Sequence, residues 1–476
     1  MLGKCSTNRL TVVEGFFNAF LQGLILIGWY GHRWFWHGRS TYRGWPPYLI
    51  SFLHLIRFLT CQCMMFHPKD WMIQEGKPSP FTMGRGEPAA KQQQLLLVRG
   101  GVLSPYSGLG GAFHDLRVSL ESGSMPSWSL AEVSEYDLGG KPSAFQRLFK
   151  RWFIHPRTVK KRIDTLHRDG LLHLVLVSDQ EQAHLVPRRS PVPVVIYVHD
   201  FFHLFPQQLK LSGQTIEVGE QRPSLIRKRD LKRLMKGLQR ADGFICNTKA
   251  TETLCREHFP SKPLFRIPYG LDATRYIPPE VLPAKPSTLT AEQCHFLVVG
   301  SHAPRKRLAY LIDVLSRLDE SLKTSVHIHH IGGDTCPYSG QSAATYAEQN
   351  GVHWTHVGSG IDDQTLNLYR WHTEALLFPS AAEGFGYPPV ESMAAGQPVL
   401  ASLRPAHEEL LIEGQGLPAE DEQAWLAAIT AVHKTWAERK GNPRTADPAL
   451  MDHVEFLSPA RFHEDMDEAW TTFCSS

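Results

Sequence analysis

Glu383 and Glu391 bracket the seven residues Gly-Phe-Gly-Tyr-Pro-Pro-Val, and this segment gathers groups that could do chemistry. The apolar run Ala375-Leu-Leu-Phe378 before it reads as a buried parallel strand. Gly384 and Gly386 allow bare backbone to approach whatever sits above the strand end. Pro388 and Pro389 open a helix with φ already set, and Gly396 ends it. A strand, a glycine turn and a helix N-terminus together favour an anion, because free N–H groups and the helix dipole both attract negative charge. Phosphate is therefore expected beside Phe385 and Gly386, with the two carboxylates accepting hydrogen bonds from sugar hydroxyls. Those are the requirements of a nucleotide-sugar pocket. Arg305 and Lys306 add to this, since they stand at a predicted helix opening, where the dipole disfavours cations unless an anion is present.

The elements that position these groups are short apolar runs alternating with helical patterns. Strands are predicted at 95–100, 171–178, 192–199, 244–248 and 264–268, then at 295–300, 326–331, 352–358 and 375–379, which implies parallel sheets. Ser107-Gly-Leu-Gly110-Gly111 follows the first strand as a glycine turn into a helix. It is not a nicotinamide-cofactor loop: Phe113 stands where the fingerprint needs its third glycine, and no ribose-binding acid is evident about twenty residues on. His199 and Asp200 end another strand, at the edge where parallel sheets bind ligands.

The segment Glu383 to Glu391, with Phe378-Pro-Ser380 before it and Gly396-Gln-Pro-Val399 after it, resembles the Glu-x7-Glu motif of the retaining glycosyltransferases of family four. The resemblance covers roughly 95–476. It implies an α/β protein of the GT-B fold, with two Rossmann-like domains facing across a cleft. The expected division is an extension over 1–94, an acceptor-side domain over 95–277, a nucleotide-sugar-binding domain over 278–455, and a C-terminal helix in 456–476 packing back on the first domain. By the same resemblance, Gly110 and Gly111 face the donor phosphates, and Arg305 and Lys306 hold the diphosphate. His199 lies near the reaction centre, Glu383 holds hydroxyls of the transferred sugar, and Glu391 accepts from the ribose. Gly384, Phe385 and Gly386 complete the donor site. The implied activity is transfer of a hexose, with mannose favoured, from a nucleotide sugar to a glycan or lipid-linked acceptor, with no metal or cofactor. A nucleotide-sugar epimerase and a catalytically silent scaffold are the alternative readings.

Composition agrees with a folded globular chain: of 476 residues, 42% are hydrophobic and 20% charged, enough for two or three domains with cores. Eight cysteines without framework spacing suit a reducing, cytoplasmic setting. Residues 1–94 carry ten Lys/Arg against four Asp/Glu and five of the twelve tryptophans. Seventeen uncharged residues from Gly15 to Gly31 sit at the short limit of a membrane span. Three readings fit this region: a membrane-associating extension, a poorly ordered appendage, or residues upstream of the true start. Residues 147–168 hold eight Lys/Arg with Phe149, Trp152 and Phe153 interleaved. That pattern fits either a solvated helix face or a peripheral patch on anionic membrane, and nucleic acid is not expected because no binding motif accompanies the charge. His327, His329 and His330 lie on one predicted strand, whose alternation puts His330 on the opposite face, and no acid or cysteine stands at ligand spacing, so no metal is expected at this cluster.

Overall fold

The computed structural model describes residues 92–104 and 108–475. The expectations for 1–90 and for Ser107 lie outside the described residues. Gly86–Ser476 forms one compact unit, and it contains two six-stranded sheets in which every pair of neighbouring strands is parallel.

The first sheet has the order β2-β1-β3-β4-β7-β8, built from β1 (Gln93–Gly101), β2 (Trp128–Tyr136), β3 (Leu174–Val177), β4 (Val194–Val198), β7 (Gly243–Cys246) and β8 (Leu264–Arg266). Its central strands are apolar on both faces because helices cover both sides. Edge strand β2 was not anticipated. Only Trp128 and Ser134 in it are buried, so its sequence lacks the continuous apolar run that marks its neighbours. Between β4 and β7 the chain adds the antiparallel hairpin β5 (Gln207–Leu211) and β6 (Gln214–Val218). Ser212 and Gly213 both have positive φ at its turn, the geometry of a tight two-residue hairpin. The Ser-Gly pair between two alternating runs was a legible signal for it.

The second sheet, β11-β10-β9-β12-β13-β14, comprises β9 (Cys294–Val299), β10 (Val326–Ile331), β11 (Trp354–Gly358), β12 (Ala375–Phe378), β13 (Val399–Ser402) and β14 (Gly416–Leu417). Strand order reverses between β9 and β12, and open α/β sheets bind ligands at the carboxyl ends of strands at such a point. The C-terminal helix Pro459–Ser475 buries Met466, Ala469, Trp470 and Phe473. Trp470 meets Trp128 edge-on at 5.7 Å, and Phe473 packs against Phe265, so this helix closes one face of the first sheet. Leu271 N–H donates to Leu457 O, tying the inter-domain junction to the same segment.

Candidate active site

The loops leaving β9 and β12 meet at the reversal point. Beyond β9, Pro304–Lys306 form a single 3-10 turn, and Arg307 takes a left-handed conformation (φ 54°) before the helix Leu308–Leu315. Arg305 and Lys306 therefore precede that helix rather than open it, and their anion comes from the chain itself. Arg305 Nη1 lies 2.7 Å from Glu383 Oε2, and Lys306 Nζ lies 2.6 Å from Glu383 Oε1. Burial alone would push the Glu383 carboxyl up, but the charges of Lys306 and Arg305 outweigh it and hold it at about 2. Lys306 is displaced below its ordinary range because burial exceeds the support from Glu383.

This pairing has a consequence in acid. A carboxyl depressed from 4.5 to about 2 contributes stability that is fully present above pH 4.5 and is lost as pH falls through 2. The contribution is on the order of 3 kcal/mol. Glu383→Gln should therefore flatten stability against pH across that window; an unchanged acid limb in denaturant titrations would reject the coupling.

After β12, Gly386 (φ 119°) forms the N-cap of the helix Tyr387–Ala394, with the two prolines in its first turn. Gly384 lies so near the first domain that a Cβ there would stand 2.6 Å from His199 O. Thr248 Oγ1 donates to Gly384 O across the same junction. The fold thus brings Glu383, Gly384, Phe385 and His199 together.

His199 is buried, with both ring nitrogens engaged. Nε2 donates to Ser178 O at 2.7 Å, so Nδ1 is the acceptor and takes the Tyr269 hydroxyl. Burial lowers the imidazole's proton affinity, more than Asp179 and the Ser178 bond restore. Tyr269 stacks on Tyr387 at 5.1 Å and meets Phe385 edge-on at 4.8 Å. This aromatic bridge between the domains was not anticipated, because nothing in the residues next to Tyr269 shows that it meets Tyr387 and Phe385, more than a hundred residues on. Asp200 is also close, its carboxyl raised by burial against the opposing pull of the Phe202 N–H and Arg305.

Glu391 sits in the second turn of the helix Tyr387–Ala394. It pairs with the buried Arg370 and accepts from Tyr276 Oη at 3.4 Å. Arg370 was missed because it belongs to another helix, Asp363–His372, twenty-one residues earlier. Gly110 and Gly111 lie within the first turn of the helix Gly108–Glu121, not in a free glycine turn as expected. The helix had begun earlier than the glycines implied. A Cβ at Gly108 would reach Tyr387 Cδ2 at 4.0 Å, so this helix opening faces the second-domain segment. The β5–β6 hairpin reaches over the same region: Leu211, Ile216 and Val218 pack with Ala381, and Ser212 N–H donates to Glu420 Oε1.

Residues 114–275 match the family model for Glycosyltransferase Family 4, and residues 285–441 match that for Glycosyl transferases group 1, together about two-thirds of the chain. The chain belongs to glycosyltransferase family 4. Among relatives of this family-four chain, the O-antigen chain mannosyltransferase RfbU of Salmonella typhimurium is 41% identical over 61 residues, 13% of this chain and 17% of that protein. A D-inositol 3-phosphate glycosyltransferase of Geodermatophilus obscurus is 28% identical over 216 residues, 40% and 45% of the respective chains. The chain thus spans less than half the length of these relatives. Sucrose-phosphate synthase from Thermosynechococcus elongatus superposes with a TM-score of 0.58 at 18% identity, over 81% of this chain and 100% of that one. HepE of Anabaena, in complex with UDP and glucose, gives 0.56 at 16%, over 80% and 100%. At such identities the likeness is one of fold, and that fold is GT-B.

Proposed function

We propose that the chain transfers a hexose, with mannose favoured, from a nucleotide sugar to a glycan or lipid-linked acceptor, with retention at the anomeric carbon. The observation that carries this reading is the convergence of Arg305, Lys306 and Glu383 at the strand-order reversal, beside the opening of the helix Tyr387–Ala394. As the glycosidic bond breaks, charge accumulates on the leaving diphosphate. Fixed cations and free helix N–H groups stabilise that charge more in the transition state than in the ground state. Glu383 already pairs with both cations and leaves one positive charge unmatched, so donor phosphate would be drawn to them, compete with the carboxylate and release it toward the sugar hydroxyls. The mannosyltransferase name of a relative supports the hexose, and the UDP complex of HepE supports a nucleotide-linked donor.

A thermal-shift screen of GDP- and UDP-sugars, followed by product analysis with acceptor, tests it. A ligand at a hundred times its Kd stabilises by about 2.7 kcal/mol. Absence of any nucleotide-sugar stabilisation would reject the reading, and conversion of the sugar without an acceptor would favour an epimerase.

A peripheral contact with anionic membrane, on the cytoplasmic side, forms part of the proposal. No described helix is long and apolar enough to cross a membrane. On the first domain, exposed Phe145, Phe149 and Phe153 form a ladder with ring centroids 5.8 and 5.5 Å apart. Lys141, Lys150 and Ile154 join Phe145 and Phe149 around a cavity of about 400 Å³. The structure changes which residues test this contact. Arg151 and Trp152 turn inward to Asp230, so they belong to the fold and not to the surface patch. Phe145→Ser with Phe149→Ser, and Lys150→Glu with Lys161→Glu, should each reduce binding to anionic vesicles, the charge pair alone abolishing its salt dependence. Equal vesicle binding by all variants would assign the patch to a solvated face.

A further inference from the structure

We propose that His295, His327 and His329 form a binding site for one divalent transition-metal ion of the zinc class, at the amino end of the second sheet. The parallel register pairs His327 on β10 with His295 on β9, and His329, two residues on, shares their face. One nitrogen from each ring lies within 4.8 Å of the other two. His330 points to the opposite face, where Nε2 bonds to Gly300 O. The third imidazole comes from a neighbouring strand thirty-two residues away from His327, which is why spacing along one strand disclosed only two.

The outer contacts of His295 and His327 suit ligation. A metal-bound histidine usually donates its other ring N–H to an oxygen acceptor, which fixes the ring. His295 Nε2 donates to Thr290 O at 2.9 Å, leaving its Nδ1 lone pair facing His329 Nε2 at 3.0 Å. His327 Nδ1 lies 2.9 Å from Gln293 Oε1, and its Nε2 lies 2.8 Å from Thr355 Oγ1. Tetrahedral zinc with Zn–N bonds of 2.0–2.1 Å needs its nitrogens about 3.3 Å apart. The gap between His295 and His329 is close to that value. His327, the partly exposed member, supplies the remainder by rotating its side chain, and water takes the fourth position. Loading replaces the Nε2 proton of His329 by the metal, and that ring is reprotonated at Nδ1, a buried atom with no hydrogen-bond partner. Thr290 and Gln293 belong to the segment entering β9, so the ion would fasten that segment and two strands together. The site lies away from the carboxyl strand ends where Arg305 and Glu383 meet.

Full-length protein stripped with chelator is titrated with Zn²⁺, and with Co²⁺ as a visible-spectrum probe. One equivalent of zinc should bind and raise the melting temperature, and cobalt should give tetrahedral absorption bands. His327→Gln should weaken zinc binding by roughly a hundredfold or more. Gln293→Ala, which removes only the outer acceptor, should weaken it by about 10–100-fold. His356→Gln, near His330 on the other side, serves as the control and should leave it unchanged. Absence of stoichiometric zinc, or zinc affinity in His327→Gln equal to that of the parent, would overturn the site and leave the trio as a hydrogen-bonded imidazole chain.

Discussion

Replacing Glu383 by Gln should lower kcat by roughly a hundredfold or more, while nucleoside diphosphate should bind as tightly as before or more tightly. The carboxylate stands between two cations in the structure, at 2.7 and 2.6 Å. Removing its charge takes away the internal competitor for Arg305 and Lys306, so diphosphate gains from the change. In the proposed donor orientation the transferred sugar would lose a positioned acceptor near its reacting carbon, and kcat should fall. Calorimetry with the nucleoside diphosphate, beside steady-state kinetics, separates the two effects. Loss of diphosphate binding in this variant would reverse the proposed orientation of the donor. Glu391 should differ: an interaction with ribose is nearly equal in ground and transition states, so its loss raises KM more than it lowers kcat. The ion pair with Arg370 decides which substitution is informative. Glu391→Ala would leave a buried guanidinium with neither its counter-ion nor the hydrogen-bond acceptor of its Nη2, at about 3–5 kcal/mol. Glu391→Gln keeps the shape and a hydrogen-bonding oxygen, and is the variant to compare.

Gly384→Ala should lower kcat/KM by about a hundredfold with both domains still folded. The added Cβ would lie 2.6 Å from His199 O and 3.3 Å from Asp200 Cβ. Real Cβ atoms do not approach a backbone oxygen so closely, and the oxygen cannot swing aside as a side chain could. The domains would then have to part at the site, misplacing His199 and the Tyr269 bridge relative to Glu383. A displacement of about 1 Å at a reaction centre can cost on the order of a hundredfold. Nucleotide binding should change far less, since Arg305, Lys306 and the helix Tyr387–Ala394 all belong to the second domain. Activity within twofold of the parent would show that this contact plays no part in catalysis.

The sequence by itself determined the architecture and the strand–glycine turn–helix segment on which the proposed donor site rests. Buried parallel strands announce themselves as continuous apolar runs, and strand, glycine turn and proline-opened helix at 375–396 are local patterns. Chain-local signals also placed Arg305, Lys306, Glu383 and Glu391 beside strand ends. Edge strand β2 escaped because partial exposure removes the run that betrays a central strand. Tertiary structure alone decided the partners. Arg305 and Lys306 meet Glu383 because strand order reverses between β9 and β12, although about eighty residues separate them in sequence. Arg370 reaches Glu391, Tyr269 reaches His199, and His295 joins His327 and His329 through packing or register that no spacing rule encodes. Residue type and period specify elements because those depend on near neighbours. The charge state of a buried group depends on what other segments bring within a few ångströms, and that is set only when the sheets and helices assemble.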